Sequence, residues 1–313
     1  APHVRGMSIP VEAFRAVRRV IVHANCPDGR ASALILHAAL PNAEIVEMAY
    51  GDPAHEALKP EPGLLFCDFT PPLARLAEFA AAGAIVLDHH DVDLSVFGAL
   101  GVKGDNTKGE SGAALAFREV YEPLWTVEHG QEITACENIA ELAAIRDTWQ
   151  RDSPVWNVAC ELSEALRFVP LDDALAMGVV RFMRLAEELG PMLRRKAVLA
   201  AQEAARGAVR WTIAGRRIAV LSSSKVVSDA ADVLAAEVDL VVAFDYVQEP
   251  GRVRLKVSLR SRGAVNCTAL AKAHGGGGHE SGRTAGFHLP VDTDMHEARS
   301  PYARLRTLLE AAL

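Results

Sequence analysis

Apolar and polar positions change period several times along the chain, and those changes define its elements. Val20-Ile21-Val22 is an apolar run too short for a helix and reads as a buried strand. A Pro27-Asp28-Gly29 turn follows, then a helical pattern from about Ala31 to Leu40. Glu44–Met48, Gly63–Phe66 and Ala84–Leu87 read as further strands, with a helix opening at Pro71-Pro72, where proline suits a first turn. Ser111–Val120, Asn138–Ile145 and Leu171–Leu189 read as helices. This alternation predicts an α/β fold, its N-terminal domain built on a largely parallel sheet flanked by helices.

A charged, Ala-rich helical stretch from about Met183 to Arg206 reads as a connector. Strands then recur at Ala208–Ile213, Arg217–Leu221, Leu240–Tyr246 and Arg252–Leu259, and a helix at about Tyr302–Ala312 closes the chain. The expected division is residues 1–185, a connector at 186–207 and a smaller α/β domain at 208–313.

The 313 residues suit two domains of ~150 each. Net charge is −7 and the pI about 5.9, against a charge-driven binder of long duplex nucleic acid but not against a local basic site. Five cysteines without a C-x-x-C pair imply neither a disulfide framework nor a zinc knuckle, and fit a reducing, cytoplasmic setting. The opening APHVRGM lacks the apolar core of a secretory signal and reads as an extension ahead of a start at Met7. The Ala-rich run Ala77–Leu87 is far short of the ~20 apolar residues of a membrane span.

Candidate chemistry gathers at strand ends. The first strand runs into His23, with Asp28 five residues on; the third runs into Asp68 and the fourth into Asp88-His89-His90. In an open parallel sheet, ligands bind beyond the carboxyl ends of the strands, so these residues should converge. Each alone has an ordinary use: a strand-end histidine, a turn aspartate, a helix cap. Together, carboxylates and imidazoles suit Mn²⁺ or a similar divalent ion, and two ions ~3.5–4 Å apart can clamp an in-line displacement at phosphorus. In the second half, Arg252, Arg254 and Lys256 alternate with Val253, Leu255 and Val257, and Arg260 and Arg262 extend the basic face. That strip leads to Gly275, Gly276, Gly277, Gly278 and His279, whose backbone can approach an anion closely. A solvated strand and a flexible loop are the plain alternatives; substrate capture, with Arg283 as an added phosphate contact, is the chemical one.

His23-Ala24-Asn25-Cys26-Pro27-Asp28-Gly29, Cys67-Asp68, Asp88-His89-His90 and Asp147-Thr148-Trp149 resemble, in order, the four motifs of the DHH phosphoesterases. That family includes RecJ-like single-strand exonucleases, nanoRNases, cyclic-dinucleotide phosphodiesterases and family II pyrophosphatases. Val257-Ser258-Leu259-Arg260-Ser261, Gly275–His279 and Ala285-Gly286-Phe287 resemble the smaller DHH-associated domain. The resemblance implies an active site in the cleft between two lobes, with one or two Mn²⁺ ions, for which Mg²⁺ or Co²⁺ could substitute. Asp68 would bridge the ions, His23 and Asp28 would complete one site, and His89 and Asp147 the other. Asp88 would orient its neighbours, and His90 would face the scissile phosphate as the catalytic histidine.

The chain departs from that pattern twice. Many members carry a second Asp two residues after the first, where this chain has Arg30, and Cys26 is an extra residue before Pro27-Asp28. Asn25, a water or Cys26 could fill the gap, the second metal could bind weakly, or Arg30 could grip phosphate beside one ion. Fewer than two tightly bound Mn²⁺ are therefore expected. Five residues, Glu280–Thr284, also separate His279 from Ala285, more than the usual pattern. The implied activity is cleavage of short single-stranded oligonucleotides or dinucleotides to nucleoside monophosphates, as in nanoRNases. A cyclic or linear dinucleotide phosphodiesterase, a 3′-phosphonucleotide phosphatase and a catalytically decayed nucleotide- or RNA-binding regulator are the rivals, and a homodimer stays open.

Overall fold

The run Val20–Val22 is the fully buried middle of β1 (Arg19–His23). Around it stand β2 (Glu44–Met48), β3 (Leu64–Cys67), β4 (Ile85–Asp88) and β5 (Gly101–Lys103), all parallel, in the order β2-β1-β3-β4-β5. β3 and β4 are apolar without alternation because both faces are covered. Val20, Val22, Leu65 and Leu87 join a core with residues of helices Pro27–Ala39, Gly130–Asp147 and Trp156–Phe168, while Ile21, Phe66 and Val86 pack with Phe79 and Phe97. The computed structural model describes residues 9–125, 130–249, 252–278, 281–291 and 300–313, with backbone alone at 249 and 252. Its contacts divide the chain into two units, up to Arg194 and from Arg195.

Some expected elements differ. Pro27-Asp28-Gly29 is not a turn ahead of a helix but its first turn, with Pro27 at the first position and Cys26 as the extended N-cap. Gly29 is required there, because a Cβ would overlap the carbonyl of His23. The helix expected over Leu171–Leu189 is two, Leu171–Met177 and Val179–Arg206, parted by Gly178 at φ 75°. The connector is thus the C-terminal part of a 28-residue helix.

The guanidinium of Arg30, expected as a phosphate contact, is engaged by the fold. Its guanidinium pairs with Glu47 on β2 (2.9 Å) and donates to the carbonyls of Leu166 (2.8 Å), Arg167 (3.3 Å) and Val169 (3.1 Å). These carbonyls lie at the end of Trp156–Phe168, where they lack partners within their own helix. Residues two apart on a helix project in nearly opposite directions, so Arg30 cannot join Asp28. Arg30→Ala is expected to lower unfolding free energy by ~1.5–3 kcal/mol in chemical denaturation, with Mn²⁺ affinity near wild type in calorimetry.

The second unit holds a six-stranded sheet in the order β10-β11-β9-β8-β7-β6: β6 (Val209–Ile213), β7 (Arg216–Leu221), β8 (Leu240–Glu249), β9 (Arg252–Ser261), β10 (Gly277–Gly278) and β11 (Thr284–Pro290). Only β7 and β8 pair in parallel; the other pairings are antiparallel. Leu255, Val257 and Leu259 of β9 enter its core, as their alternation indicates. The glycine segment is not a flexible loop. Gly277 and Gly278 pair with Gly286 and Ala285, and a Cβ on Gly276 or Gly278 would overlap β11. Among the described residues no helix is long and apolar enough to cross a membrane.

Candidate metal centre

Strand register brings the site together. Val22 stands opposite Cys67, and Cys67 opposite Leu87, so the next residues along β1, β3 and β4, namely His23, Asp68 and Asp88, form a row at the carboxyl edge. Asp68 extends the ladder by one hydrogen bond, its N–H to the Leu87 carbonyl (3.0 Å), then turns at φ 55°. Aspartate visits that left-handed region at lower cost than most residues. Asp28 comes from the helix Pro27–Ala39 and Asp147 is the last residue of Gly130–Asp147. There Arg146 stacks 4.2 Å over Trp149, which takes φ 61° just beyond the helix end.

Asp28, Asp68, Asp88 and His89 are all at most 1% exposed. His89 Nε2 lies 3.0 Å from Asp68 Oδ1, 3.6 Å from Asp147 Oδ2 and 3.8 Å from Asp28 Oδ2. Its Nδ1 meets Asn106 Oδ1, while the Asn106 amide donates to the His89 carbonyl (3.1 Å). Asn106 thereby fixes the ring with Nε2 toward the carboxylates, as the outer partner of a metal-binding histidine does. Asp88 Oδ1 accepts from the N–H groups of His89 (2.7 Å) and His90 (3.1 Å) and lies 2.7 Å from His90 Nδ1. Asp28 is cradled by a second helix start: its carboxylate accepts from Ser111 Oγ (2.7 Å) and from the N–H groups of Gly112 (2.6 Å) and Ala113 (3.2 Å). Gly112 is needed because a Cβ would overlap Asp68.

Electrostatics indicate a cation. Burial, then repulsion from Asp68 and Asp147, pushes the Asp28 carboxyl up to about 8. Burial opposes charge on His89, yet Asp68, Asp147 and Asp28 hold its imidazole well above the usual histidine range. Burial likewise opposes charge on Asp88, but His90 keeps that carboxyl far below its ordinary value. Asp68 Oδ2 and Asp147 Oδ2 are buried without a hydrogen bond among the described residues. Oxygens in that state lack the partner buried polar atoms ordinarily have, and a divalent cation supplies one.

The potential donors fall into three overlapping groups, each with ligand atoms within 4.8 Å of one another: Asp28-His89-Asp147, His23-Cys26-Asp68 and Asp68-Asp88-His89-His90. All five expected metal ligands therefore come together, with Asp88 and His90. The pairing differs: Asp28 groups with His89 and Asp147, not with His23. Asn106 and the Ser111-Gly112 cradle went unread, since Asp105-Asn106-Thr107-Lys108-Gly109 looks like ordinary turn chemistry. Asn106→Ala is expected to weaken Mn²⁺ binding ~10–100-fold, measured by calorimetry, while leaving the far-ultraviolet dichroism intact.

The residues expected to hold substrate lie in the second unit. Arg260 reaches Ser228 Oγ (3.0 Å) and its own strand at the Leu259 carbonyl (2.8 Å), Arg262 pairs with Asp232 (3.0 Å), and Arg283 is exposed. Gly276, Gly277 and Gly278 occupy the turn and strand beside β11, and His279 lies outside the described residues.

Solved structures of a DHH domain and of RecJ exonucleases share this fold. An exonuclease RecJ bound to manganese superposes with a TM-score of 0.58 at 16% identity, covering 100% of this chain and 96% of that one. The DHH domain of a member of a ribosomal-protein family gives 0.58 at 13%, covering 96% and 88%. RecJ of Thermus thermophilus in complex with Mn²⁺ gives 0.53 at 19%, covering 96% of this chain and 53% of that one, so this chain spans about half its length. No family model and no curated protein matches the chain. The likeness is one of fold, and it bears out the resemblance read from the four motifs at that level.

Proposed function

We propose that the chain is a divalent-metal-dependent phosphodiesterase that hydrolyses short oligonucleotides to nucleoside monophosphates, in the manner of nanoRNases. The observation that carries this reading is the convergence of Asp28, Asp68, Asp147, His23 and His89 on one sheet edge, with buried oxygens lacking partners. Support also comes from the fold shared with the manganese-bound RecJ exonuclease. When bound, divalent ions supply positive charge to the phosphoryl oxygens and acidify the attacking water. Asp28, His89 and Asp147 would hold one ion and Asp68 would contribute beside them, while Asn106 sets the orientation of His89. Asp88 anchors His90 Nδ1, leaving its Nε2 to donate to the leaving oxygen. In the second unit Arg260, Arg262, Arg283, His279 and the glycines Gly276, Gly277 and Gly278 are proposed to contact the nucleotide.

The deciding experiment treats the protein with chelator, desalts it, and follows hydrolysis of bis-p-nitrophenyl phosphate with and without Mn²⁺, then a panel of short RNAs, DNAs, dinucleotides and 3′-phosphonucleotides. Metal-restored cleavage with preference for short RNA is the expected result. Preference for a cyclic or linear dinucleotide or a 3′-phosphonucleotide would replace the substrate assignment, and absence of any hydrolysis would leave a nucleotide-binding regulator.

A further inference from the structure

Asp28 does not sit where the first carboxylate of a DHH motif is expected. Its ligand atom groups with His89 and Asp147, whereas His23 groups with Asp68 and the thiol of Cys26. We propose that Cys26 is a metal ligand, its thiolate joining His23 and Asp68 in a nitrogen–sulfur–oxygen site that prefers Zn²⁺, Co²⁺ or Fe²⁺ to Mn²⁺ or Mg²⁺. This rests on the metal-dependent reading above.

Three further observations carry it. First, Sγ of Cys26, a ring nitrogen of His23 and a carboxylate oxygen of Asp68 lie within 4.8 Å of one another. Bonds of ~2.0–2.3 Å to one ion draw such atoms to roughly 3.5 Å apart, so modest side-chain rotation completes the set. Second, Asp68 has one oxygen to spare. Its Oδ1 is engaged by His89, but Oδ2, 3.8 Å from His23 Nδ1, is buried and accepts no hydrogen bond among the described residues, although Asp68 is wholly inaccessible to solvent. Third, Cys26 occupies a helix N-cap, where Ser, Thr, Asp or Asn would bond the first turn, yet its side chain makes no cap hydrogen bond. Burial and the neighbouring carboxylates of Asp68, Asp147 and Asp28 push the Cys26 thiol well above its ordinary range, and a bound cation is what would offset that cost.

The chemistry follows from softness. Thiolate and imidazole donors suit Zn²⁺ and its neighbours, whereas all-oxygen sets suit Mg²⁺ and Mn²⁺. Binding releases the thiol proton to solvent as the sulfur–metal bond forms. Three protein ligands leave a fourth position open, the arrangement of catalytic rather than structural sites. His23 and Cys26 are both partly exposed, which gives an ion a way in.

The test uses the full-length protein, made metal-free and titrated with Co²⁺, with bound cobalt counted by elemental analysis. A near-ultraviolet thiolate-to-cobalt charge-transfer band should appear in the wild type, vanish in Cys26→Ser and vanish in Cys26→Asp. The Asp variant should bind Mn²⁺ at this site roughly tenfold or more tightly than the wild type, because an oxygen replaces the soft donor. Circular dichroism of each variant establishes that it is folded. Cobalt bound without the band overturns the cysteine ligand while leaving the metal-dependent phosphodiesterase standing. A band that survives in Cys26→Ser assigns the thiolate elsewhere and overturns it equally. A wild type that binds no cobalt and no manganese overturns both.

Discussion

Asp68→Asn is expected to lower turnover at least ~10²-fold, since losing a shared ligand removes several kcal/mol of charge stabilisation at the phosphate. Asparagine is the informative substitution because Asp68 sits at φ 55°, a conformation Asn tolerates and Ala does not without strain. It keeps the shape and the N–H bond to Leu87 while removing the charge that His89, His90 and His23 surround. His89→Ala should cost as much by a different route, leaving Asp28, Asp68 and Asp147 without the imidazole between them. Initial rates on bis-p-nitrophenyl phosphate and a short RNA, at saturating Mn²⁺ and with fold checked by dichroism, decide the matter. A folded, metal-replete Asp68→Asn protein with near-normal turnover would falsify the metal-centred mechanism.

Much of this site was legible because it follows strand geometry. Val20–Val22, Leu64–Cys67 and Ile85–Asp88 are apolar runs whose ends carry His23, Asp68 and Asp88, and a parallel sheet collects such ends along one edge. Asp147 was reached only through the motif resemblance, since an aspartate at a helix end has no periodic signal. The misreadings share a cause: local chemistry with two valid outcomes. Pro-Asp-Gly is as good a first helical turn as a β-turn, and here it opens the helix Pro27–Ala39, with Arg30 turned toward Glu47. The pairing of Gly277 and Gly278 with β11 has no local signal, because nothing in the sequence shows that β11 packs against Gly276 and Gly278. β5 begins at a glycine and is only three residues long, below what alternation can reveal.

Without metal, the protein should lose stability as pH rises from about 5 to 8.5, and a divalent ion should restore more of it at the upper end. Asp28, His89 and His90 are raised and set the sign, and His55, lowered by burial, opposes them. Asp28 has its folded-state pKa raised from 3.8 to about 8, so the unfolded chain releases that proton at a lower pH than the folded one. Its contribution is complete below the unfolded value and is lost as pH climbs through the folded value. His89, held charged by Asp68, Asp147 and Asp28, is also raised, and its contribution likewise fades with rising pH. Asp68 and Asp88 are lowered, so their contributions disappear only in acid, below the ordinary carboxylate range, and stay constant across this window. A divalent ion takes the place of the two protons, and binding that needs deprotonated ligands strengthens as pH rises. Melting temperatures in chelator and in excess Mn²⁺, recorded from pH 5 to 8.5, should diverge steadily, with Asp28→Asn flattening the chelator curve. A chelator curve that is flat or rises with pH, beside a metal increment independent of pH, would show that no proton stands in for the ion at this cluster.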